Sequence, residues 1–372
     1  MTLVVANTPR DILHSLPSAS CSVDEGMDHP GWNLFRKKCL AITPIPALFR
    51  WAEEEGVLET LISEDGLEWV TTNFVTAELV TTQLPSTRRY RRALLRRTMS
   101  EADDAGVALP CSLLDAYGEL LVPPSETRTG QAGGGDDADY YKLFLTHPED
   151  PPFETKDLVV GRDFVAVAVS SAFSDVGLAL WPAAFVLAEV VVADPDGIFA
   201  AASSILELGA GVGLSGIFAR STLPPQIPLV LTDIPGPVFE RLQANIALNF
   251  GSSDDGSNIS AAVLDWETFD PQDNPFTNAG DVLIAADVVY DPSLADALVS
   301  VLASFLTSGL SRMAVIVSRI RRETTYDNFV ALAGTAGLDV RPLGQLEPSS
   351  YIFDLPADER KGIQTILVTP AS

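Results

Sequence analysis

The chain is short of cysteine, histidine and positive charge. Three cysteines occur in 372 residues, Cys21, Cys39 and Cys111, far apart and with no C-x-x-C pair. That spacing excludes a disulfide framework. The three histidines, His14, His29 and His147, are equally scattered, so no zinc-ligand spacing exists and no metal is expected. Long hydrophobic runs are missing as well. Nothing approaches the ~20 apolar residues that cross a bilayer. The opening MTLVVANTPRDILHSLPSASC has no charged n-region ahead of a long apolar stretch, so no signal peptide is expected. These absences point to a cytoplasmic protein without a membrane partner. Basic residues number 24 against 50 acidic ones, a net charge of −26. Such a surface repels nucleic acid; it suits a basic protein partner, or solubility alone.

What is present is ample apolar content, 47% of residues, arranged in two styles. Residues 30 to 121 place apolar groups at three- and four-residue spacing, as in IPALFRWAEEEGVLETLI and LEWVTTNFVTAELVT, which predicts helices. One stretch here runs against the overall charge: STRRYRRALLRR carries Arg88, Arg89, Arg91, Arg92, Arg96 and Arg97. On a helix these spread around much of the surface, with Tyr90, Leu94 and Leu95 left to pack. A solvated basic helix is one reading, and a docking patch for an acidic partner or RNA the other. Residues 122–139, VPPSETRTGQAGGGDDAD, bury almost nothing and read as a linker. The predicted organisation is therefore a helical region over 1–121, a linker over 122–139 and a second domain over 140–372.

That second domain alternates strands with helices. YYKLFLT and LVVGRDFVAVAVS read as strands of a hairpin or edge, and WPAAFVLAEVVVADP as a helix with Pro182 in its first turn. Strands at 204–208, 228–234, 259–266, 281–290 and 313–320 follow, with helices at 213–221, 236–249, 293–308 and 323–336. The tail YIFDL…GIQTILVTP offers two more strands with no helix between them. Such an order predicts a doubly wound α/β domain, a Rossmann-like sheet of seven strands ending in an antiparallel hairpin.

The first strand leads into SILELGAGVGLSG. Gly211-Val212-Gly213-Leu214-Ser215-Gly216 fits the G-x-G-x-x-G of a dinucleotide site. Glu207 followed by Gly209, Ala210, Gly211 and Gly213 fits an S-adenosylmethionine turn equally well. Charge separates the two. A pyrophosphate at the helix N-terminus would meet Glu207, whereas the cationic part of S-adenosylmethionine tolerates it. Asp233, ending the second strand, can accept both ribose hydroxyls of either ligand. Asp265 and Trp266, in LDW, can meet the adenine amino group and lie beside the ring. Asp287 and Tyr290 close the fourth strand in IAADVVY. Ligands of open α/β sheets lie beyond the carboxyl ends of the strands, and four acid-bearing ends in a row are hard to explain as packing.

GLALWPAAFVLAEV, ILELGAGVGLSG, TDIPGPVFERLQANIALN, LDWE and IAADVVYDPSLADALV together resemble the seven-strand class I protein-lysine methyltransferases whose fourth strand ends in Asp-x-x-Tyr. QLPSTRRYRRALLRRTMSEADDAGVALPCSLLDAYGELL resembles the N-terminal region of the elongation factor 2 lysine methyltransferases within that group. The resemblance covers about residues 83–121 and 140–370. It implies S-adenosyl-L-methionine as cofactor, elongation factor 2 as protein substrate, and a monomer. It also implies roles for residues. Trp181 lines the cofactor site, Gly209, Ala210 and Gly211 hug the methionine part, and Asp233 holds the ribose. Trp266 contacts adenine with Asp265 beside it, Ala286 gives backbone contact, and Asp287 and Tyr290 face the lysine. Pro182 and the insertion at 130–138 depart from the pattern without removing a chemical group. Three alternatives stay open: another protein lysine, a non-catalytic binding module of the same fold, and a nicotinamide-dependent oxidoreductase. The last lacks an evident hydride-site His or Tyr-Lys pair. DVVY is not the Asn-Pro-Pro-Tyr of amide and base methylation.

Overall fold

The computed structural model describes residues 30–72, 88–121, 140–146, 160–162, 164–169, 176–194, 197–251, 257–344, 352–353 and 355–371. The expected linker at 122–139, Cys21 and all three histidines lie outside them. The described residues divide into two compact units, one drawn from Met1–Val159 and Ala168–Ala172, the other from Val160–Val167 and Phe173–Ser372. No helix among them is long and apolar enough to cross a membrane.

In the first unit, helices form at Pro30–Leu40 (α1), Ile45–Glu54 (α2), Leu58–Leu61 (α3), Glu64–Val70 (α4), Arg88–Asp104 (α5) and Cys111–Leu121 (α6), before a strand at Tyr140–Leu145 (β1). The apolar pattern that runs unbroken through IPALFRWAEEEGVLETLI is split by Gly56, at φ 68, into α2 and α3. Ser63 caps α4 by accepting from the Gly66 amide at 3.1 Å. Trp32, Phe35, Phe49, Leu94 and Leu95 pack one core. The polar ends of its large aromatics are satisfied: Trp32 Nε1 donates to Thr60 Oγ1 at 3.0 Å and the Tyr90 hydroxyl to the Thr43 carbonyl at 2.8 Å. On α5 three of the exposed arginines share one side of the helix. Arg89, Arg92 and Arg96 are exposed at i, i+3 and i+7, one stripe opposite buried Tyr90, Leu94 and Leu95. Arg97 pairs with Glu101 one turn on and lies over the Phe49 ring.

The second unit takes its strands as Phe164–Val169 (β2, the residues to Val167), Ile205–Leu208 (β3), Leu229–Asp233 (β4), Ile259–Val263 (β5), Val282–Ala286 (β6), Met313–Arg319 (β7), Leu338–Gly344 (β8) and Ile363–Pro370 (β9). Its helices are Pro182–Ala193 (α7), Leu214–Thr222 (α8), Pro237–Phe250 (α9), Ala295–Thr307 (α10), Glu323–Thr335 (α11) and the short Ala357–Arg360 (α12). Seven strands pair in the order β5-β4-β3-β6-β7-β9-β8. The first five run parallel, and β9 is antiparallel to both neighbours. This is the class I methyltransferase sheet. Leu206, Leu208, Leu283 and Ile316 meet α10 and α11 through Leu302, Phe305 and Phe329. Alternation sends Ile205 and Glu207 to the other face, where α7 packs against α8 and β7.

The closing hairpin is present, but one of its strands is not where the sequence places it. The partner of β9 is β8, directly after α11, and Ile352 and Phe353 are not strand. Their amides donate instead to the carboxylate of Glu189 in α7, at 3.0 and 2.9 Å. Glu189 is 1% exposed and also takes both Arg360 guanidinium nitrogens, at 2.6 and 2.8 Å. Arg360 Nη2 donates to the Phe353 carbonyl at 2.6 Å, and the Phe353 ring meets Phe185 and Phe218. A carboxylate with four donors removes this segment from the sheet. Asn249 makes a similar tie elsewhere: its amide exchanges bonds of 2.9 and 2.7 Å with the Ala166 backbone of β2.

Glu189→Ala removes the counter-charge of Arg360 and the acceptor of two amides in the interior. We expect it to destabilise the protein by about 3–5 kcal/mol, read from urea unfolding. A loss below about 1 kcal/mol, the scale of surface pairs, would show the clamp to be ornamental.

Candidate active site

At the end of β3 the chain reverses through Gly209, Ala210, Gly211, Val212 and Gly213 into α8. Gly209 and Gly211 sit at φ 62 and 57, left-handed values that side chains resist. Space enforces the same choice. A Cβ on Gly209 would stand 3.2 Å from the Trp266 ring, and one on Gly211 3.0 Å from the Gly177 carbonyl oxygen. The turn is tied to β4: the Ala210 amide donates to the Thr232 carbonyl at 2.9 Å, and Asp233 Oδ2 accepts from the Gly211 amide at 2.7 Å. Asp233 Oδ1 accepts from the Ile234 amide at 2.8 Å. Asn245 of α9 donates to the Val212 carbonyl at 2.8 Å. Burial raises the Asp233 carboxyl above the usual carboxylate range, and its two amide donors pull against that.

Glu207 does not open onto this rim. It is 1% exposed, and its Oε1 accepts from the Ser215 hydroxyl in the first turn of α8. Burial pushes its pKa up to about 8; Ser215 and the Gly216 amide oppose the rise, and Asp233 adds to it. At neutral pH the group is therefore largely protonated, lodged under the helix end that a pyrophosphate would need. Gly216 makes room for it, since a Cβ there would meet Glu207 Oε2 at 2.4 Å. Ser215 gave no signal in the sequence beyond lying eight residues after the acid.

The other predicted residues cluster at the strand ends. Ala286 ends β6, beside Val317 of β7. Asp287, next, has φ 56, a strained value for a residue with a Cβ, and its amide still donates to Val317 at 2.7 Å. Its carboxylate is nearly buried and is held by a group that the motif does not name. Arg321 Nη1 donates to Oδ1 at 3.0 Å and Nη2 to Oδ2 at 2.6 Å. The same guanidinium lies over the Trp181 ring, 5.4 Å from its centroid. Trp181 caps the start of α7 ahead of Pro182, its indole donating to the Val176 carbonyl at 2.9 Å. Tyr290 is 43% exposed. Its hydroxyl pKa is raised, first by burial and then by Asp291, Asp233 and Asp287, with Arg321 opposing. It thus sits in one electrostatic field with both strand-end acids. Arg321 follows β7 in the run SRIRRE; carrying the strand-end rule one strand further would have found it.

Trp266 is half-buried, its ring against the Gly209 turn. Asp265 is half-buried too, with Oδ1 accepting from the Glu267 amide at 3.0 Å, so one oxygen remains for a ligand. The donor set fits S-adenosylmethionine. Carboxylates at the ends of β4 to β6, an indole against the turn and a close-approach backbone accept a cation, a ribose and an adenine. Arg321 gives two of its five N–H groups to Asp287, whose carboxylate offsets the positive charge that a phosphate would need.

The lysine methyltransferase family matches residues 167–334 of the chain. The protein-lysine N-methyltransferase EFM3 of Chaetomium thermophilum is 26% identical over 270 residues, 70% of this chain and 76% of that protein. The protein-lysine N-methyltransferase EEF2KMT of Mus musculus is 26% identical over 278 residues, 72% of this chain and 74% of that protein. Its Bos taurus counterpart is 31% identical over 205 residues, 49% of this chain and 59% of that protein. These likenesses support a protein-lysine N-methyltransferase whose cofactor is S-adenosylmethionine.

Glu207 gives this unit a pH signature. Its folded pKa of about 8 lies above its ordinary value of 4.5, so folding takes up a proton. The stabilisation is whole below about pH 4.5 and is lost as pH rises through about 8; Asp233 contributes with the same sign. Urea titrations should show wild-type stability falling between about pH 5 and about pH 8.5. Glu207→Gln, neutral throughout, should flatten much of that fall. An equal slope in both proteins would contradict the assignment.

Proposed function

We propose that this S-adenosylmethionine-dependent protein-lysine methyltransferase acts on translation elongation factor 2, and that Asp287 and Tyr290 receive the lysine. The observation that carries the site reading is their convergence past β6. A nearly buried carboxylate in strained backbone lies in one electrostatic field with an exposed phenol and Asp233. Asp233 is in turn bonded to the glycine turn.

Bound at the turn, S-adenosylmethionine supplies an electrophilic methyl on a sulfonium. The residues of the chain have the tasks of alignment and charge. Gly209, Ala210 and Gly211 bring backbone against the methionine part, Asp233 takes the ribose hydroxyls, and Trp266 with Asp265 takes adenine. Trp181 walls the entrance and Ala286 lends its backbone. Asp287 accepts a hydrogen bond from the incoming amine and directs its lone pair. Tyr290 offers its ring face or hydroxyl to the same nitrogen. Glu207 serves from below, holding α8 to the turn through Ser215. The choice of elongation factor 2 is supported by the sequence pattern over 83–121 and by relatives that bear the name EEF2KMT.

Labelled cofactor incubated with a cell lysate and with purified elongation factor 2 tests the substrate. Labelling of that factor is expected; labelling of other bands alone would replace it with another protein lysine. Asp287→Ala should keep the fold and cofactor affinity while losing methyl transfer by about 100-fold or more; full activity would refute its role. Gly211→Arg should abolish S-adenosylhomocysteine binding in calorimetry, because its first carbon already presses on Gly177. Unchanged affinity would move the cofactor away from the turn.

A further inference from the structure

The site holds a cation that its acids alone do not explain. Arg321 grips Asp287 with two parallel bonds, 3.0 Å to Oδ1 and 2.6 Å to Oδ2, and the Arg319 amide adds a third to Oδ1 at 3.3 Å. A carboxylate offers about four acceptor positions, so one remains on Oδ2. The Asp287 side chain is 5% exposed and that of Arg321 40%. The guanidinium also lies over Trp181, whose ring is fixed by its own bond to Val176. Arg321 is thus held by both a carboxylate and a ring.

Two fates are open to it when a lysine arrives. A lysine ammonium is a point charge and cannot reproduce a two-pronged fork, and withdrawing Arg321 would strip a nearly buried carboxylate of its counter-charge. Staying also suits the chemistry. Lysine has an ordinary pKa of about 10.4, and a bare carboxylate beside it holds it protonated more strongly still. The groups sharing this field are Asp233 from β4, Asp287, Tyr290 and Asp291 after β6, and Arg321 after β7. Without Arg321 they are acids and a phenol, all of which favour the unreactive ammonium.

Resting on the reading that Asp287 receives the lysine, we propose that Arg321 is a positioning residue for methyl transfer. It stays paired with Asp287 while the lysine is bound, aiming the free lone pair of Oδ2 and cancelling the carboxylate's charge so that the lysine sheds its proton. The proton goes to solvent. The freed lone pair forms the new nitrogen–carbon bond as the sulfur–carbon bond breaks with its electron pair left on sulfur.

The test compares wild type, Arg321→Gln and Arg321→Lys across pH. The acceptor is elongation factor 2 or, if that is not labelled, the lysate protein that the wild type labels. A wild type that labels nothing refutes the functional reading itself, before any variant is compared. The expected result for Arg321→Gln is a kcat–pH midpoint raised by about one unit or more, with kcat near neutrality down roughly tenfold and acceptor KM unchanged or lower. Arg321→Lys should recover much of the midpoint. A second readout needs no turnover. Calorimetry of acceptor binding with S-adenosylhomocysteine, in two buffers of different ionisation enthalpy, should show fewer protons released by Arg321→Gln than by wild type. A uniform loss of kcat with midpoint and proton release unmoved would reduce Arg321 to packing. A gain in kcat near neutrality would make it a latch that the lysine displaces. Either result overturns the proposal, and Arg321→Met carries the same test should Arg321→Gln not fold.

Discussion

Parallel pairing of β3 with β4 and β6 is the constraint from which the site follows. Leu208 stands level with Thr232 on one side and Ala285 on the other. Asp233 and Ala286 are therefore each one step past the last residue of β3, and Asp287 two. On the outer strand Val263 is level with Asp233, which brings Asp265 to the same edge. An antiparallel neighbour would have sent its carboxyl end to the opposite rim. The glycine turn leaves β3 at this edge, in the crevice where strand order reverses, where open α/β sheets receive ligands.

Concentrating acids along one rim carries an electrostatic cost, and the unit meets it in three ways. Glu207 is buried deeply enough to be largely neutral at physiological pH, and it contributes a hydrogen bond to Ser215 rather than a charge. Asp233 is held by two backbone amides. Asp287 is given a guanidinium. Along α7, Glu189 uses the last device together with two amides. These solutions differ in consequence. A neutral acid ties stability to pH, an amide-bound one shapes the turn, and a paired one resists removal of its partner. The left-handed backbone at Asp287 adds strain at the same point where the pair adds order, a combination that functional sites commonly show.

Much of this was readable from residue order. Six of the seven strands, the helices between β3 and β8, the turn and the strand-end acids all stand within a few residues of their expected places. Local chemistry is enough for these: apolar periodicity, glycine where close approach is required, and an acid or aromatic at a strand tip. The failures share a cause. The sequence points to a strand near Ile352 rather than to β8, and the two amides there instead answer a carboxylate 163 and 164 residues away. On α5 a helical wheel alone does not say which side is buried, and the arginines do spread in part, with Arg97 exposed away from the others. Tyr90, Leu94 and Leu95 decide that side, and Arg89, Arg92 and Arg96 fall into one stripe as a result.

Residue order alone was enough for the kind of fold and for the strand edge that carries the acids, whereas the charge expected of Glu207 against a phosphate is removed by its burial. The fold and the edge depend on which residue types sit at strand ends, and strand ends are local. Only the tertiary structure decided which acids meet solvent, which one hides beneath α8 and which one is joined to a guanidinium. Those outcomes depend on the face each helix lays against the sheet and on side chains that meet across 34 positions, as Arg321 and Asp287 do. No periodicity encodes such a meeting, because it arises only when packing brings the two chain segments within bonding distance.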